Sequence, residues 1–216
     1  MQPPVGYNNQ RVIFMIYVIL CAIFAYLIGS INTAIIISKR TLGTDIRSVG
    51  SGNAGATNML RAAGKKAAAA VFLADFFKGL IAVTAARCLV YFSDAPYICV
   101  LTAGFFAQAG HCFPVFFRFK GGKGVATAAG AAAGIMPIVA LILLAVFTVV
   151  AFLTKIASLS SGICAVIYPL LAYFLSQTNK KFNFLFAASS AVLIIIMHAQ
   201  NFARLIDGDE KPISTK

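Results

Sequence analysis

The 30-residue run "GVATAAGAAAGIMPIVALILLAVFTVVAFL" (residues 124–153) decides how often this chain crosses a membrane. The hydrocarbon core of a bilayer takes about 20 apolar residues per helix, so this run is too long for one comfortable span. Pro137 removes one helical hydrogen bond and disfavours helix at the residue before it. We therefore predict that the run contains two short helices that meet at "GIMP" (134–137).

The chain as a whole has the composition of an integral membrane protein. Of its 216 residues, 60% are hydrophobic and 11% are charged, and the mean hydropathy is +0.89. A soluble domain of this length has no core large enough to hide so much apolar surface, and isolated strands leave backbone groups unpaired in lipid. We predict an all-α integral membrane protein, a single domain over residues 1–216 with about seven transmembrane helices. The other apolar runs are 12–38, 67–86, 96–115, 156–176 and 182–200.

The basic residues predict the orientation of these helices. Lys and Arg number 18 against 6 acids, and in a membrane protein this excess indicates an anionic leaflet or an anionic substrate, not nucleic acid. The positive-inside rule places the basic loops 39–66 and 118–123 in the cytoplasm and the N-terminus outside. Seven spans also place the polar tail 198–216 in the cytoplasm, whereas six would not. Lys180 and Lys181 then lie outside, which opposes the rule.

The segment "GSGNAGATNMLRAAGKK" (50–66) is a polar, glycine-rich loop between two apolar runs. Glycines let the backbone approach an anion closely and aim several N–H groups at it. The segment contains G-x-G-x-x-G, but the strand and the βαβ unit that a dinucleotide site needs are absent. The alternative is an interfacial loop whose cations contact lipid headgroups; the density of amide and hydroxyl donors favours a phosphate site. The candidate ligands are Ser51, Asn53, Thr57, Asn58 and Arg61, the last three on one face if residues 56–63 are helical.

A second loop, "FRFKGGKGVATAAG" (117–130), has the same character. Its glycines surround a lysine just before a predicted helix, and the Walker register G-x-x-x-x-G-K-[ST] is absent, which argues against ATP hydrolysis. Two such loops on one membrane face indicate two phosphate groups, or one phosphate bound from both sides. The candidate ligands are Lys120, Gly121, Gly122, Lys123 and Gly124.

The two histidines lie at the cytoplasmic ends of predicted spans. For His111, an interfacial hydrogen-bonding role and a role in the site are equally consistent with the sequence. His198 is followed by Asn201 and Arg204 in a polar stripe, which favours a role in the site. Ser158, in "TKIASLSSG", is either a site residue or a serine at a helix contact.

The few acidic residues exclude several kinds of chemistry. No D-x-x-D pair stands near the loops, which disfavours a two-metal phosphotransferase, and the five cysteines lie singly, without a C-x-x-C pair. Neither histidine has an acid five residues on, so the H-x-x-x-x-D signature of coenzyme A- or carrier-dependent glycerolipid acyltransferases is missing. A G-x-S-x-G motif is also absent. Asp75 and Lys78 are costly within a span unless they pair with each other or line the site.

Taken together, these segments resemble the bacterial acyl-phosphate-dependent glycerol-3-phosphate acyltransferases. The likeness covers nearly the whole chain, and the order and spacing of three signatures make it specific. Asn32 stands where that family usually has proline, and Met197 where a basic residue often precedes the histidine. The matching segments are "GSINTA" (29–34), "DIRSVGSGNAGATNMLRAAGKK" (45–66), "GHCFPVFFRFKGGKGVAT" (110–127) and "HAQNFARLIDGDE" (198–210).

The resemblance implies a seven-helix enzyme of the bacterial inner membrane whose site faces the cytoplasm. It implies transfer of a fatty acyl group from acyl phosphate to the 1-hydroxyl of glycerol-3-phosphate, which yields lysophosphatidic acid and phosphate. Because acyl phosphate is already activated, neither a covalent enzyme nucleophile nor a metal or cofactor is needed. In the family view, the substrate's own phosphate accepts the proton of the attacking hydroxyl. The implied partners are the two substrates, membrane lipid and the soluble enzyme that makes acyl phosphate.

The roles expected from the resemblance and the loop chemistry divide among the three signatures. The first loop, with Ser51, Asn53, Thr57, Asn58 and Arg61, would cradle a phosphate and orient glycerol-3-phosphate. Lys120 or Lys123, with the backbone of Gly121, Gly122 and Gly124, would hold the other phosphate and stabilise developing charge. Ser158, His198 and Asn201 would complete the pocket. The residues expected to act in the reaction are Ser51, Arg61, Lys123, His198 and Asn201.

The main alternative is a transporter or channel for a small phosphorylated anion. Transporters usually bring polar groups to the middle of the bilayer and are often built from repeated halves. Here the polar segments cluster at one face, and no internal repeat is visible. A structural or lipid-sensing membrane protein would leave the three polar segments unexplained. The sequence therefore favours the enzyme.

Overall fold

A computed structural model describes residues 7–213 of the chain. All regular structure over this range is helical, which confirms the predicted fold class; a helix pairs its own backbone groups where lipid offers no partners. Single turns of 3-10 helix lie in the first two polar loops, at Ile46–Ser48 and Val115–Phe117. Residues 1–6, for which we predicted an outside location, and residues 214–216 lie outside the described range, and the single domain over 1–216 stays a prediction. The α-helices are α1 Tyr7–Gly29, α2 Thr33–Thr41, α3 Ala56–Phe92, α4 Ile98–Cys112, α5 Val125–Ile135, α6 Pro137–Thr154, α7 Ala157–Leu175, α8 Lys180–Met197 and α9 Ala199–Ile206.

The predicted break at residues 134–137 is present. α5 ends at Ile135, Met136 has the non-helical angles φ −138° and ψ 75°, and Pro137 begins α6. Proline suits the first position of a helix because its missing N–H would have no helical partner there. The two helices are unequal, which corrects the prediction of two short ones. α5 has 11 residues, whereas α6 has 18 and is long enough to span a bilayer.

Within the described residues, six helical segments are long and apolar enough to cross a membrane, and α5 is a shorter seventh apolar helix. α5 packs closely against α3 because both helices carry glycine at the contact. A Cβ atom on Gly130 of α5 would collide with the carbonyl of Phe76, and one on Gly79 of α3 would collide with the carbonyl of Thr127. Such close approach of small residues is typical of helix contacts in membranes. The orientation of these helices across the membrane stays a prediction.

Two helices depart from the predicted apolar runs. The run 12–38 is divided between α1 and α2, and Asn32 caps α2 by accepting a hydrogen bond from the N–H of Ile35 (3.1 Å). α3 begins eleven residues before the predicted run 67–86, at Ala56, so the polar residues 56–63 are helical. Gly64 then adopts φ 81°, a left-handed conformation that glycine tolerates, and separates these polar turns from the apolar part of α3.

Small side chains fill the centre of the bundle, and large apolar ones face outward. α3, α4 and α5 lie at the centre; α1 packs on α4, and α6 packs on α7, which pairs with α8. Buried positions are rich in alanine, whereas Ile19, Leu144 and Val192 each leave about half or more of their surface exposed, at 51%, 55% and 55%. Lipid tails are as apolar as a protein core, so these outward side chains need no protein partner.

A second, smaller core supports the first polar loop. Ile35 of α2, Ile46 of the loop and Met59 of α3 are fully buried together. Burying such side chains contributes about 1.5–3 kcal/mol each relative to exposure. The loop is therefore held against α2 and α3 at one end of the bundle.

Candidate active site

The side chain of Asn58 holds the backbone of the first polar loop in place. Its Oδ1 accepts a hydrogen bond from the N–H of Ser51 (3.0 Å). Its Nδ2 donates to three backbone carbonyls, those of Ile46 (3.2 Å), Val49 (2.8 Å) and Asn53 (3.1 Å). The side chain is 1% exposed, and its polar atoms are engaged within the loop. These contacts give Asn58 a role in shaping the loop, and the direct phosphate contact that we predicted stays a prediction.

The glycine loop before α5 folds back onto the end of α4. The N–H of Gly121 donates to the carbonyl of Cys112, and the N–H of Gly122 donates to the carbonyl of His111, both at 3.1 Å. Both N–H groups therefore have protein partners here, and their predicted role as anion donors stays a prediction. Their bonds hold the loop so that Lys123 follows directly at the start of α5.

Arg47 joins the first loop to the second. Its Nη1 donates to the carbonyls of Phe117 and Lys120, both at 3.0 Å, and its Nη2 lies 2.7 Å from a carboxylate oxygen of Asp45. The hydrogen bond from Arg47 lowers the pKa of the Asp45 carboxyl, although burial acts in the opposite direction. Asp45 therefore stays ionised at neutral pH and holds the arginine that fixes the two loops to each other.

His198 lies at the end of α8, where α9 begins. Its Nδ1 is 2.8 Å from the carbonyl of Ile194, and since a carbonyl only accepts, Nδ1 carries the proton. Burial, reinforced by the nearby charge of Lys123, lowers the pKa of His198 to about 4. The ring is therefore neutral at physiological pH, and its Nε2 is a hydrogen-bond acceptor.

Glu210, in the tail after α9, joins α7 to α9. Its Oε1 accepts from the hydroxyl of Ser158 (2.8 Å) and from Nδ2 of Asn201 (2.6 Å), and its Oε2 accepts from Nε of Arg204 (3.0 Å). Burial raises the pKa of this carboxyl, but the three hydrogen bonds and the charge of Arg204 outweigh it, and the net shift is downward. Glu210 is therefore a carboxylate at neutral pH.

These segments enclose a cavity of about 440 Å³ at one end of the bundle. Its lining is mostly polar on the side of the loops and apolar near Phe72, Val125 and Phe147. Four cations face it against two carboxylates, which favours an anionic ligand: Arg61, Lys123, Arg204 and Lys211 against Asp75 and Glu210. The predicted site residues that line it are Ser51, Asn53, Thr57, Arg61, Lys123, Gly124, Ser158, His198 and Asn201.

Four predicted site residues lie elsewhere. Asn58 is beneath the loop, and Gly121 and Gly122 are bonded to α4, as described above. Lys120 is exposed, and it contributes its backbone carbonyl to Arg47. The geometry therefore distinguishes the two lysines that the sequence left as alternatives, because Lys123 lines the cavity and Lys120 does not.

Lys123 is half-buried among other polar groups. Its Nζ donates to Oδ1 of Asn201, which connects the second signature to the third. Burial lowers the pKa of Lys123 to about 8; Glu210 raises it in part, and Arg204 and Arg61 lower it further. Its proton is thus held less firmly than that of an ordinary lysine, which normally titrates near 10.4.

Arg61 is held by the tail of the chain. Its Nε donates to the carbonyl of Pro212 (3.1 Å), and its Nη2 donates to the carbonyls of Pro212 (2.6 Å) and Lys211 (3.0 Å). The N–H of Ile213 in turn bonds to the carbonyl of Lys155 (2.7 Å), so the tail crosses from α3 to the start of α7. Arg61 reaches the cavity from the same face of α3 as Thr57.

Four residues that line the cavity were not among the predicted site residues: Arg204, Glu210, Asp75 and His111. Glu210 and Arg204 belong to the third signature. The spacing within that signature was the sequence feature that could have identified them as site residues. Asp75 and His111, 36 positions apart, also line it, and their atoms Oδ1 and Nδ1 are 3.4 Å apart. No motif spacing relates them, because α3 and α4 bring them together. Between residues 7 and 213, no group of three or more histidine, cysteine or acidic side chains is placed to bind a metal ion.

Comparison with known sequences identifies the family of this chain. A family model described as glycerol-3-phosphate acyltransferase matches residues 19–208. The glycerol-3-phosphate acyltransferase of Thermoanaerobacter sp. (strain X514) is 44% identical over 201 residues, which cover 93% of this chain and 98% of that protein. The one from Clostridioides difficile (strain 630) is 40% identical over 202 residues, which cover 92% and 96%.

Two crystal structures have the same fold. Both are of PlsY (YgiH), an integral membrane glycerol 3-phosphate acyltransferase. The glycerol 3-phosphate form superimposes with a TM-score of 0.82 at 37% identity and covers 92% of this chain and 96% of its own. The lysophosphatidic acid form gives a TM-score of 0.79 at 35% identity, over 90% and 94%. The helices, the cavity and these relatives agree: the chain is an integral membrane protein of the glycerol-3-phosphate acyltransferase family.

Proposed function

We propose that this protein transfers a fatty acyl group from acyl phosphate to the 1-hydroxyl of glycerol-3-phosphate, as the first step of phospholipid synthesis. The observation that carries the proposal is that Arg61, Lys123 and His198, one from each signature, line the same cavity. Relatives are named glycerol-3-phosphate acyltransferases, and one of them was crystallised in a glycerol 3-phosphate form and in a lysophosphatidic acid form. These names support glycerol-3-phosphate as the acyl acceptor and lysophosphatidic acid as the product. Acyl phosphate is supported as the acyl donor by the chemistry of the reaction, which is described next.

The reaction exchanges one carbon–oxygen bond for another and moves one proton. The 1-hydroxyl oxygen of glycerol-3-phosphate attacks the acyl carbonyl carbon, the bond from that carbon to the phosphate oxygen breaks, and inorganic phosphate leaves. Arg61 and Lys123 are the cations that would hold the two phosphate groups, and their charge would stabilise the oxyanion that develops. Ser51, Asn53 and Thr57 would add hydrogen bonds, and Gly124 lets the backbone come close.

His198 would orient the attacking hydroxyl. Its neutral ring offers Nε2 as an acceptor for the hydrogen bond of the hydroxyl. Because its pKa is about 4, however, the ring is too weak a base to retain the proton of that hydroxyl. A phosphate oxygen, whose second pKa lies near 6, is the better final acceptor. The proton thus leaves with the departing phosphate, which agrees with an activated donor that needs no covalent enzyme intermediate.

The reaction is tested with purified protein and labelled glycerol-3-phosphate. Palmitoyl phosphate and palmitoyl-coenzyme A are supplied in parallel, with EDTA present. Lysophosphatidic acid from acyl phosphate alone is the expected result, and it would establish the donor and independence from metal together. Product from the thioester alone would assign the protein to another acyltransferase class. No product from either donor, with folded protein, would favour the anion transporter.

We further propose that the protein lies in the bacterial inner membrane with its cavity facing the cytoplasm. The test uses single cysteines at the exposed positions Lys66 and Asp94, in a Cys88→Ala background, and a membrane-impermeant thiol reagent on spheroplasts. Labelling at position 94 and protection at position 66 are expected. The reverse pattern would mean that the orientation is inverted.

A further inference from the structure

Three titratable side chains lie buried beside the cavity, and the proposed reaction gives them no role. Asp75 and Lys78 of α3 are 2% and 6% exposed, and His111 at the end of α4 is 4% exposed. Buried ion pairs contribute little net stability compared with apolar residues of similar size. Folding stability alone therefore does not account for this cluster, which we call the Lys78 cluster.

Lys78 is the centre of the cluster. Its Nζ lies 2.9 Å from the carbonyl oxygen of Ile31, 2.8 Å from Nδ1 of His111 and 2.9 Å from Oδ1 of Asp75. An ammonium group has three N–H donors; two of them serve the carbonyl of Ile31 and Nδ1 of His111, and the contact with Asp75 is an ion pair. Ile31 lies in the break between α1 and α2, so the cluster joins that break to α3 and α4.

These contacts determine the state of His111. A lysine ammonium only donates, so Nδ1 of His111 accepts, and the neutral ring carries its proton on Nε2. Nε2 lies where the first and second loops meet, because a Cβ atom built on Gly122 would collide both with it and with the carbonyl of Ala54. The backbone carbonyl of His111 also accepts from the N–H of Gly122 (3.1 Å). His111 thus holds the glycine loop through its backbone carbonyl, and its ring occupies the space beside Gly122.

We infer that the Lys78 cluster positions Lys123 for the acyl-transfer reaction. Lys78 and Asp75 hold the His111 ring, the ring and its carbonyl set the place of Gly122, and Gly122 precedes Lys123. The effects on kinetics that we expect from this inference rest on the proposed function. The three residues act here through Lys123 and are positioning residues.

His111→Asn is the first test. The asparagine oxygen still accepts from Lys78, but the part of the ring that lies against Gly122 is lost. We expect kcat/KM for glycerol-3-phosphate to fall by about tenfold or more, with the thermal unfolding temperature within a few degrees of the wild type. In a Lys123→Met background, His111→Asn should have almost no further effect, since residues that act as a unit are not additive. Wild-type kcat/KM in His111→Asn, or a full additive loss in the double variant, would overturn the inference.

Asn183→Ala is the matched control. Asn183 is also 4% exposed, it bonds to Tyr97 (3.0 Å) and Ser176 (3.0 Å), and it does not line the cavity. This variant should unfold at a lower temperature while its kcat/KM per folded molecule is unchanged. If His111→Asn itself fails to fold, Asp75→Asn provides the same double-variant comparison, because it keeps one oxygen for Lys78, removes the charge and replaces the other oxygen with an NH2 donor.

A second readout separates this inference from the proposed function. A water-soluble amine reagent, followed by peptide mass spectrometry, measures how accessible Lys123 is relative to the exposed Lys120. His111→Asn should raise the labelling of Lys123 by about threefold or more at constant Lys120 labelling, because a half-buried amine becomes exposed. If the wild type makes no lysophosphatidic acid, the proposed function fails, and the labelling still decides the inference. Unchanged labelling of Lys123 would contradict it.

Discussion

The two lysines of the glycine loop differ in their surroundings and should differ in their effect on activity. Lys123 lines the cavity and bonds to Asn201, whereas Lys120 is exposed outside it. Lys123→Met should lower kcat/KM by about 100-fold or more, the effect expected for a charge in a shielded site. Lys120→Met is its matched control and should stay within about threefold of the wild type. Equal losses in the two variants, measured with labelled glycerol-3-phosphate, would mean that the cavity is wrongly assigned.

The lowered pKa of Lys123 predicts how substrate affinity depends on pH. A lysine with a pKa of about 8 loses its positive charge as the pH rises from 7 to 9, two units earlier than an ordinary lysine. Since a phosphate binds the protonated form, KM for glycerol-3-phosphate should rise up to about tenfold over this range. Lys123→Arg keeps its charge at both pH values, so its KM should stay nearly constant. A wild-type KM that does not change between pH 7 and 9 would refute the prediction.

Glu210 should matter for both stability and activity. Its carboxylate accepts hydrogen bonds from Ser158, Asn201 and Arg204, and Glu210→Gln replaces one accepting oxygen with a donor. An unpaired buried donor costs about 1–3 kcal/mol, so we expect a lower unfolding temperature and reduced activity. Asp209→Asn changes the exposed neighbour and should leave both unchanged. Thermal unfolding in detergent measures the difference; equal unfolding temperatures would show that Glu210 contributes nothing to the fold.

At the level of one element, Asn58 should act on the whole first loop. Asn58→Ala would leave three carbonyls and the N–H of Ser51 without this partner, and the loop would lose the conformation that presents Ser51 and Asn53. We expect a rise in KM for glycerol-3-phosphate of about tenfold, with a smaller fall in kcat. Thr44→Ala, at an exposed position before the same loop, should change neither constant. A normal KM in Asn58→Ala would mean that the loop keeps its shape without this side chain.

The contact of α3 with α5 should be sensitive to the size of one residue. Gly130 has no room for a Cβ atom, which would meet the backbone of Phe76. Gly130→Val should therefore lower the unfolding temperature by several degrees or prevent folding, because overpacking a close contact costs about 1–3 kcal/mol or more. Ala129→Val, next to it but only partly buried, should be tolerated better. Equal unfolding temperatures for the two variants would show that the helices can move apart without loss.

For the whole molecule, the sequence predicted the class of fold and the family correctly. Hydrophobic composition and the length of a bilayer require apolar helices, and Pro137 breaks the run 124–153 because it cannot continue a helix. The loops were recognisable because glycine, amide and cationic side chains are the groups that bind phosphate. These are local properties, and each can be recognised in a short segment of sequence. Most of the predicted site residues, including Arg61, Lys123 and His198, do line one cavity.

The tertiary structure determined which groups are free to act. Whether Asn58 reaches a ligand or shapes a loop depends on carbonyls up to twelve residues away, and whether the N–H of Gly121 is free depends on the end of α4. The pairing of Asp75 with His111 depends on the contact of α3 with α4. Hydrogen bonds and burial act between atoms a few ångströms apart in space, and distance along the chain does not predict them. The sequence could name the groups that are able to bind phosphate, but the packing of the helices decides which of them line the cavity.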